Sequence, residues 1–167
     1  MRIGYGYDVH AFTTGRPLIL GGVTIPSGKG LAGHSDADVL THAIIDALLG
    51  AAAFGDIGTH FPDSDPRFKG ISSLQLLTDT MRLIEEEHYM IGNIDATIVL
   101  QRPSLSPYIS EMRRSLCRTM GVDEDRLSVK ATTTENLGFT GREEGVAAHA
   151  MVLLFQRPKG ASLFGNV

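Results

Sequence analysis

The sequence predicts an α/β fold, a two-layer sandwich with helices packed on a sheet. Three observations carry this. Stretches that alternate apolar and polar residues take turns along the chain with stretches whose apolar residues recur every three to four positions. Glycine, proline and serine punctuate the boundaries between them. Hydrophobic residues make up 43% of the 167, enough apolar surface to offset chain entropy and exclude disorder as the main state. Strands alternating with helices imply layers around one core.

Each element follows from its own pattern. Arg2 to His10 alternates, with Ile3, Tyr5, Tyr7 and Val9 on one face and Gly4, Gly6, Asp8 and His10 on the other. Pro17–Pro26 reads as two short apolar strands around Gly21-Gly22, a hairpin signal. Ser35 or Asp36 can cap a helix that runs to about Phe54 and stops at Gly55, with Leu40, Ile44, Ala47, Leu48 and Ala51 on its apolar stripe. Ser72 or Ser73 opens a second helix, with Leu74, Leu77, Met81 and Ile84 at helical spacing. Ile91–Gln101 is a strand. Ser106-Pro107 supplies an N-cap and first-turn pair for a third helix, which buries Ile109, Met112, Leu116 and Met120 and ends at Gly121. Leu127–Thr132 and Val146–Phe155 complete the strands. One catalytic domain is expected over 1–157, followed by a mobile polar tail over 158–167.

Composition narrows the function classes. The net charge of −4 gives no basic nucleic-acid surface. No apolar run reaches a bilayer's span; the longest apolar-rich stretch, Ile44–Phe54, is broken by Asp46 and Gly50. The segment Met1-Arg2-Ile3-Gly4 lacks the apolar core of a secretory signal, and a bacterial cytoplasmic location is expected. Cys117 is alone, so a disulfide within the chain and a cysteine-rich zinc knuckle are both ruled out. Gly4-x-Gly6 runs on to Val9 where a dinucleotide fingerprint needs its third glycine. GxxxxGK[ST], HExxH and GxSxG are absent.

Five constellations remain as carriers of chemistry. Asp8-Val9-His10 places a carboxylate and an imidazole on one strand face, a pairing suited to a divalent metal, zinc by preference. An exposed polar strand edge would read the same way. Asp38, His42 and Asp46 recur at i, i+4 and i+8 and form the one polar stripe of an apolar helix. A metal on His42 would satisfy it, and so would solvent. Together Asp8, His10 and His42 make a three-ligand set, which leaves one position open as in catalytic zinc. Gly55 to Pro66 holds two glycines, two prolines and three aspartates, a loop by its punctuation. Lys130 to Asn136 brings hydroxyls and Glu135 to a strand end, where phosphate oxygens and a hard cation can be held; threonines at a strand end also serve β structure alone. Gln101 to Ser106 leads into a helix N-terminus, a place for an anion or an ordinary cap.

Several of these stretches, read together, resemble the 2-C-methyl-D-erythritol 2,4-cyclodiphosphate synthase family. They are Asp8-Val9-His10, His34-Ser35-Asp36-Ala37-Asp38 with His42 and Asp46, Gly55-Asp56-Ile57-Gly58 with Phe61-Pro62-Asp63, and Lys130 to Glu135 with Gly138 to Arg142. The match runs in order from Met1 to about Phe155. The resemblance implies a mixed four-stranded sheet with helices on one face, ferredoxin-like, plus a small hairpin, assembled as a homotrimer with active sites between subunits. It implies cyclisation of 4-diphosphocytidyl-2-C-methyl-D-erythritol 2-phosphate with release of CMP, in the non-mevalonate route to isoprenoid precursors. By that resemblance Asp8, His10 and His42 bind zinc, and Glu135 helps to hold a magnesium or manganese ion. His34 and Thr133 stabilise the transition state. Asp8, Val9, His10, His34 and Ser35 face the substrate. Asp56, Ile57, Gly58, Phe61, Pro62, Asp63, Ser64 and Asp65 line its methylerythritol part. Leu100, Gln101, Arg102, Pro103, Ser104, Leu105 and Ser106, with Ala131, Thr132, Thr133 and Thr134, form the cytidine pocket from the neighbouring subunit. Phe139 and Arg142 complete the site. One departure is Ser104, where many relatives carry a lysine after the proline. Neither a membrane nor a nucleic acid is implied as partner. Two rival classes share these residues: a zinc-dependent phosphoesterase, and a non-catalytic cytidine-nucleotide-binding trimer.

Overall fold

A computed structural model describes residues 1–156. The tail expected at 158–167 lies outside the described residues. In chain order the strands are β1 (Arg2–Thr13), β2 (Leu18–Leu20), β3 (Val23–Ile25), β4 (Gly30–Leu31), β5 (Tyr89–Val99), β6 (Leu127–Thr132) and β7 (Gly145–Gln156). The helices are α1 (Val39–Ala52), α2 (Ile57–His60), α3 (Ser73–Glu86), α4 (Ile109–Met120) and α5 (Gly138–Gly141).

The main sheet has the order β4-β1-β7-β5-β6. β7 is antiparallel to β1 and to β5, while β5 and β6 are parallel. The expected four-stranded mixed sheet is therefore present. β4 adds a short fifth strand at the edge, pairing Leu31 with Phe12. β1, β5 and β6 all run the same way, so their C-terminal ends meet one edge of the sheet. That edge collects the chemistry. β2 and β3 form a separate hairpin around Gly21 and Gly22, both at positive φ as a tight two-residue turn requires.

α1, α3 and α4 cover one face of the sheet. α1 is the central element, with twelve of its fourteen residues buried. A helix so predominantly apolar belongs in a core. It lies directly on β1 because Gly4 and Gly6 have no side chain. A β-carbon on Gly4 would run into the Ala47 carbonyl, and one on Gly6 into that of Ala43. Two residues further along the same face, Asp8 and His10 emerge level with the first turn of α1. The glycines thus set the height at which strand and helix residues meet.

The other face of the sheet is uncovered in the single chain. The apolar half of the β1 alternation points there, and Ile3, Tyr5, Tyr7 and Val9 are exposed, with Met151 and Phe155 beside them.

Several boundaries differ from the sequence reading. α1 is capped by Asp38, not by Ser35 or Asp36, because Ala37 sits at φ 61°, a left-handed conformation that a helix cannot contain. It ends on Ala53, also left-handed, before Gly55 is reached. Ser106-Pro107 opens a short 3₁₀ turn, Ser106–Tyr108, and α4 starts only at Ile109. The loop from Gly55 contains the single-turn α2, capped by Asp56.

Candidate functional site

Asp8, His10 and His42 converge where β1 passes the first turn of α1. Asp8 Oδ2 lies 3.0 Å from His10 Nε2 and 3.0 Å from His42 Nδ1, and the two ring nitrogens are 3.1 Å apart. The far side of each ring fixes which nitrogen carries the proton. His10 Nδ1 is 2.7 Å from the Ala32 carbonyl, which only accepts, so Nδ1 donates. His42 Nε2 is 2.8 Å from Ser73 Oγ and 3.1 Å from Ser35 Oγ. The Ser73 hydroxyl proton goes to Asp36 Oδ1, so Nε2 donates to Ser73. The two rings therefore use opposite tautomers, and both turn a lone pair toward Asp8.

Three electron-rich atoms within hydrogen-bonding distance of one another repel unless a cation lies among them. The cluster is therefore suited to hold a metal ion. A carboxylate oxygen and two imidazole nitrogens suit a divalent ion, and three protein ligands leave a position open. Without an ion, the same field draws a proton to the cluster. Burial disfavours charge on Asp8, but the two imidazoles outweigh it and hold its carboxyl well below the usual carboxylate range. Burial likewise disfavours charge on His10, and the Asp8 carboxylate overcomes it, raising the imidazole above its ordinary value.

The helix stripe of Asp38, His42 and Asp46 separates into three roles. Asp38 is fully buried and accepts from the backbone of Gly21, Gly22 and Thr41 and from the Thr41 hydroxyl. It is a structural clamp between hairpin and helix. Asp46 accepts from the Ile57 amide at 2.9 Å and anchors the start of α2. Burial raises its carboxyl, and the nearby Asp56 and Asp8 add to that. This tie brings Asp56, Ile57 and Gly58 beside the metal ligands.

His34 leads into the same turn, and its Nε2 is buried with no hydrogen-bond partner. Such an orphan is costly unless something outside the chain completes it. Phe61 meets Phe68 edge-on at 5.5 Å, and Asp65 caps the turn after Pro62, Asp63 and Ser64.

The remaining expected residues lie elsewhere in the single chain. A pocket of about 600 Å³ is lined by Leu100 to Ser106, Ile109 and Ala131 to Thr133. It sits at the ends of β5 and β6, and no ligand of the triad lines it. Glu135 stands outside the three-residue ligand cluster and accepts from Thr133 Oγ1 at 2.8 Å. Glu135 and Asn136 are both left-handed, at φ 52° and 65°. Phe139 and Thr134 line a second pocket, about 400 Å³, on the open sheet face with Tyr5, Tyr7 and His149. Arg142 pairs with Glu144, and Arg102 with Glu143 at 3.7 Å. Sequence reasoning missed Ala32 and Ser73, because each meets its histidine across a separation of 22 or 31 residues.

The profile of the YgbB family matches residues 1–155. The 2-C-methyl-D-erythritol 2,4-cyclodiphosphate synthase of Syntrophobacter fumaroxidans is 64% identical over 154 residues, covering 92% of this chain and 97% of that one. The enzyme of the same name from Moorella thermoacetica is 59% identical over 163 residues, 98% of this chain and 100% of its own. Among solved structures, a 2C-methyl-D-erythritol-2,4-cyclodiphosphate synthase in its CDP-bound form superposes with a TM-score of 0.85 at 42% identity, over 92% of this chain and 100% of that chain. The bifunctional IspDF of Campylobacter jejuni superposes with a TM-score of 0.89 at 44% identity over 93% of this chain, which spans 42% of the bifunctional one. With the family profile over nearly all described residues and relatives this similar over their full length, the chain belongs to the YgbB family, that of the 2-C-methyl-D-erythritol 2,4-cyclodiphosphate synthases.

Proposed function

We propose that the chain cyclises 4-diphosphocytidyl-2-C-methyl-D-erythritol 2-phosphate to 2-C-methyl-D-erythritol 2,4-cyclodiphosphate and CMP. The observation that carries this is the Asp8-His10-His42 triad set beside the Asp56 loop, in a chain of this family. An oxygen of the substrate's own 2-phosphate attacks the β-phosphorus, a new P–O bond forms, and the bond to the α-phosphate breaks as CMP departs. The attacking oxygen is already ionised, so no strong base is required. The barrier is the approach of two anions in line, a matter of positioning and charge.

Zinc is the metal best suited to the triad, and when bound it would neutralise phosphate charge at the open position. Glu135 would hold a second hard cation, magnesium or manganese, which would supply further positive charge to the phosphates. His34 Nε2 and the Thr133 hydroxyl, once it turns from Glu135, are the donors for phosphate oxygens. Asp56 to Gly58 and Phe61 to Asp65 hold the methylerythritol part and exclude water. The pocket from Leu100 to Ser106 with Ala131 to Thr133 holds cytidine, and Ser104, where many relatives carry a lysine, offers the nucleotide phosphate no cation. Phe139 and Arg142 close the substrate site.

The triad stands at β1 and the cytidine pocket at the ends of β5 and β6, two to three strand spacings away, or about 10 to 14 Å. A homotrimer with sites between subunits joins one chain's triad to a neighbour's pocket. Among the described residues no helix is long and apolar enough to cross a membrane, and we assign the enzyme to the bacterial cytoplasm. Phosphorus NMR of the protein with the diphosphocytidyl substrate tests the reading. Cyclic diphosphate and CMP are expected. Release of inorganic phosphate would make the chain a phosphoesterase, and binding without turnover would make it a nucleotide-binding trimer.

A further inference from the structure

We infer that Asp36 and Ser73 are positioning residues for the metal, acting on it through His42. Three side chains from separate segments form one relay. Ser73, fully buried at the start of α3, gives its hydroxyl proton to Asp36 Oδ1. Its oxygen then has only lone pairs to offer, and one of them receives His42 Nε2–H at 2.8 Å. On the opposite side of that ring, Nδ1 faces Asp8 and His10.

A hydroxyl alone can donate or accept, so it would leave the histidine tautomer open. Asp36 removes that freedom by taking the proton. The carboxylate also polarises the hydroxyl and, through it, makes the ring a stronger ligand. Ser35 Oγ, at 3.1 Å from the same nitrogen, is the weaker partner and already accepts from the Ala37 amide. Asp36 does more than orient the ring. Its Oδ2 accepts from the Ser73 amide at 3.0 Å, and its own amide donates to the Ile71 carbonyl at 2.9 Å. The segment that closes the loop after Phe61 is thus pinned to the group that sets the metal ligand.

The amide contact is an ordinary helix-start cap and has no use for the Ser73 hydroxyl. That distinction makes the inference testable. Ser73→Ala removes the relay and leaves the cap. Zinc affinity is measured on the full-length apo protein by competition with a chromophoric chelator, and the cobalt-substituted form is followed by its visible absorption. Ser73→Ala is expected to keep the circular-dichroism spectrum and apo melting temperature of the parent, to bind zinc roughly ten- to a hundredfold more weakly, and to shift the cobalt bands. Asp36→Asn, which keeps an acceptor but removes the charge, is expected to weaken zinc in the same direction, and it decides the matter if Ser73→Ala does not fold. Zinc affinity within twofold of the parent and an unchanged cobalt spectrum in the folded variant would overturn the relay. The inference rests on the divalent-metal reading of the triad. A parent protein that binds no zinc would overturn both, whereas variants equal to a zinc-binding parent would overturn the relay alone.

Discussion

His42 carries more of the site than any other side chain. One ring nitrogen belongs to the triad and the other to the buried hydroxyls of Ser73 and Ser35. Removing it leaves Asp8 and His10 as a two-ligand remnant. His42→Ala is expected to lose bound zinc, falling from one ion per chain to near none by atomic absorption, and to lose nearly all turnover; a variant with full zinc content would refute the ligand assignment. The residue types of this centre were legible in the sequence, since Asp8 and His10 share a strand face by period two and His42 stands out on an apolar helix. Their meeting was not legible, because the contact between Asp8 and His42 spans 34 residues. The outer partners were hidden for the same reason. A serine at a helix start reads as a cap, and only the fold shows that its hydroxyl faces a histidine.

At the scale of elements, α1 and β1 decide where the ligands stand. Gly4 and Gly6 let the helix backbone touch the strand, and Asp38 locks the helix start to the hairpin through two hydrogen bonds to each. Burial pushes the Asp38 carboxyl upward, and the donors around it oppose that shift. Asp38→Ala would strand the amides of Gly21 and Gly22 and remove the cap. A loss of at least about 3 kcal/mol in denaturant-midpoint stability is expected; a loss below about 1 kcal/mol would show that the clamp is dispensable. Periodicity in the sequence placed every strand except the short β4, and each long helix, near its true position. The start of α1 was misplaced, because Ser35, Asp36 and Asp38 are all good caps by type. The left-handed turn at Ala37, set by tertiary contacts, selects among them. The stripe of Asp38, His42 and Asp46 was real as a pattern, but a period of four does not say whether a residue meets hairpin, metal or loop.

The whole molecule shows an unfinished surface. Ile3 is 68% exposed, and Tyr5, Tyr7, Val9, Met151 and Phe155 extend the same apolar face. Single chains rarely leave so continuous a patch uncovered. The proposed homotrimer would bury it and would also bring one chain's triad to a neighbour's cytidine pocket. Met151→Glu puts a charge at the centre of this face, where it costs the isolated chain little. It is expected to shift the sedimenting species from trimer to monomer and to remove activity while circular dichroism stays native. A trimer of undiminished activity would show that this face is not the interface.

The claim that each site is completed by two chains is tested most directly by mixing two inactive variants. His42→Ala spoils the metal half of the site, and Thr133→Val spoils the phosphate-holding half without changing its shape. Each is expected to be inactive alone. After the two are unfolded and refolded together, about a quarter of the sites in a randomly assembled symmetric ring receive an intact half from each neighbour. Cyclase activity should therefore return to roughly that fraction of the parent. If the mixture remains as inactive as its components, although mixed trimers form, the site lies within one chain and the account is wrong.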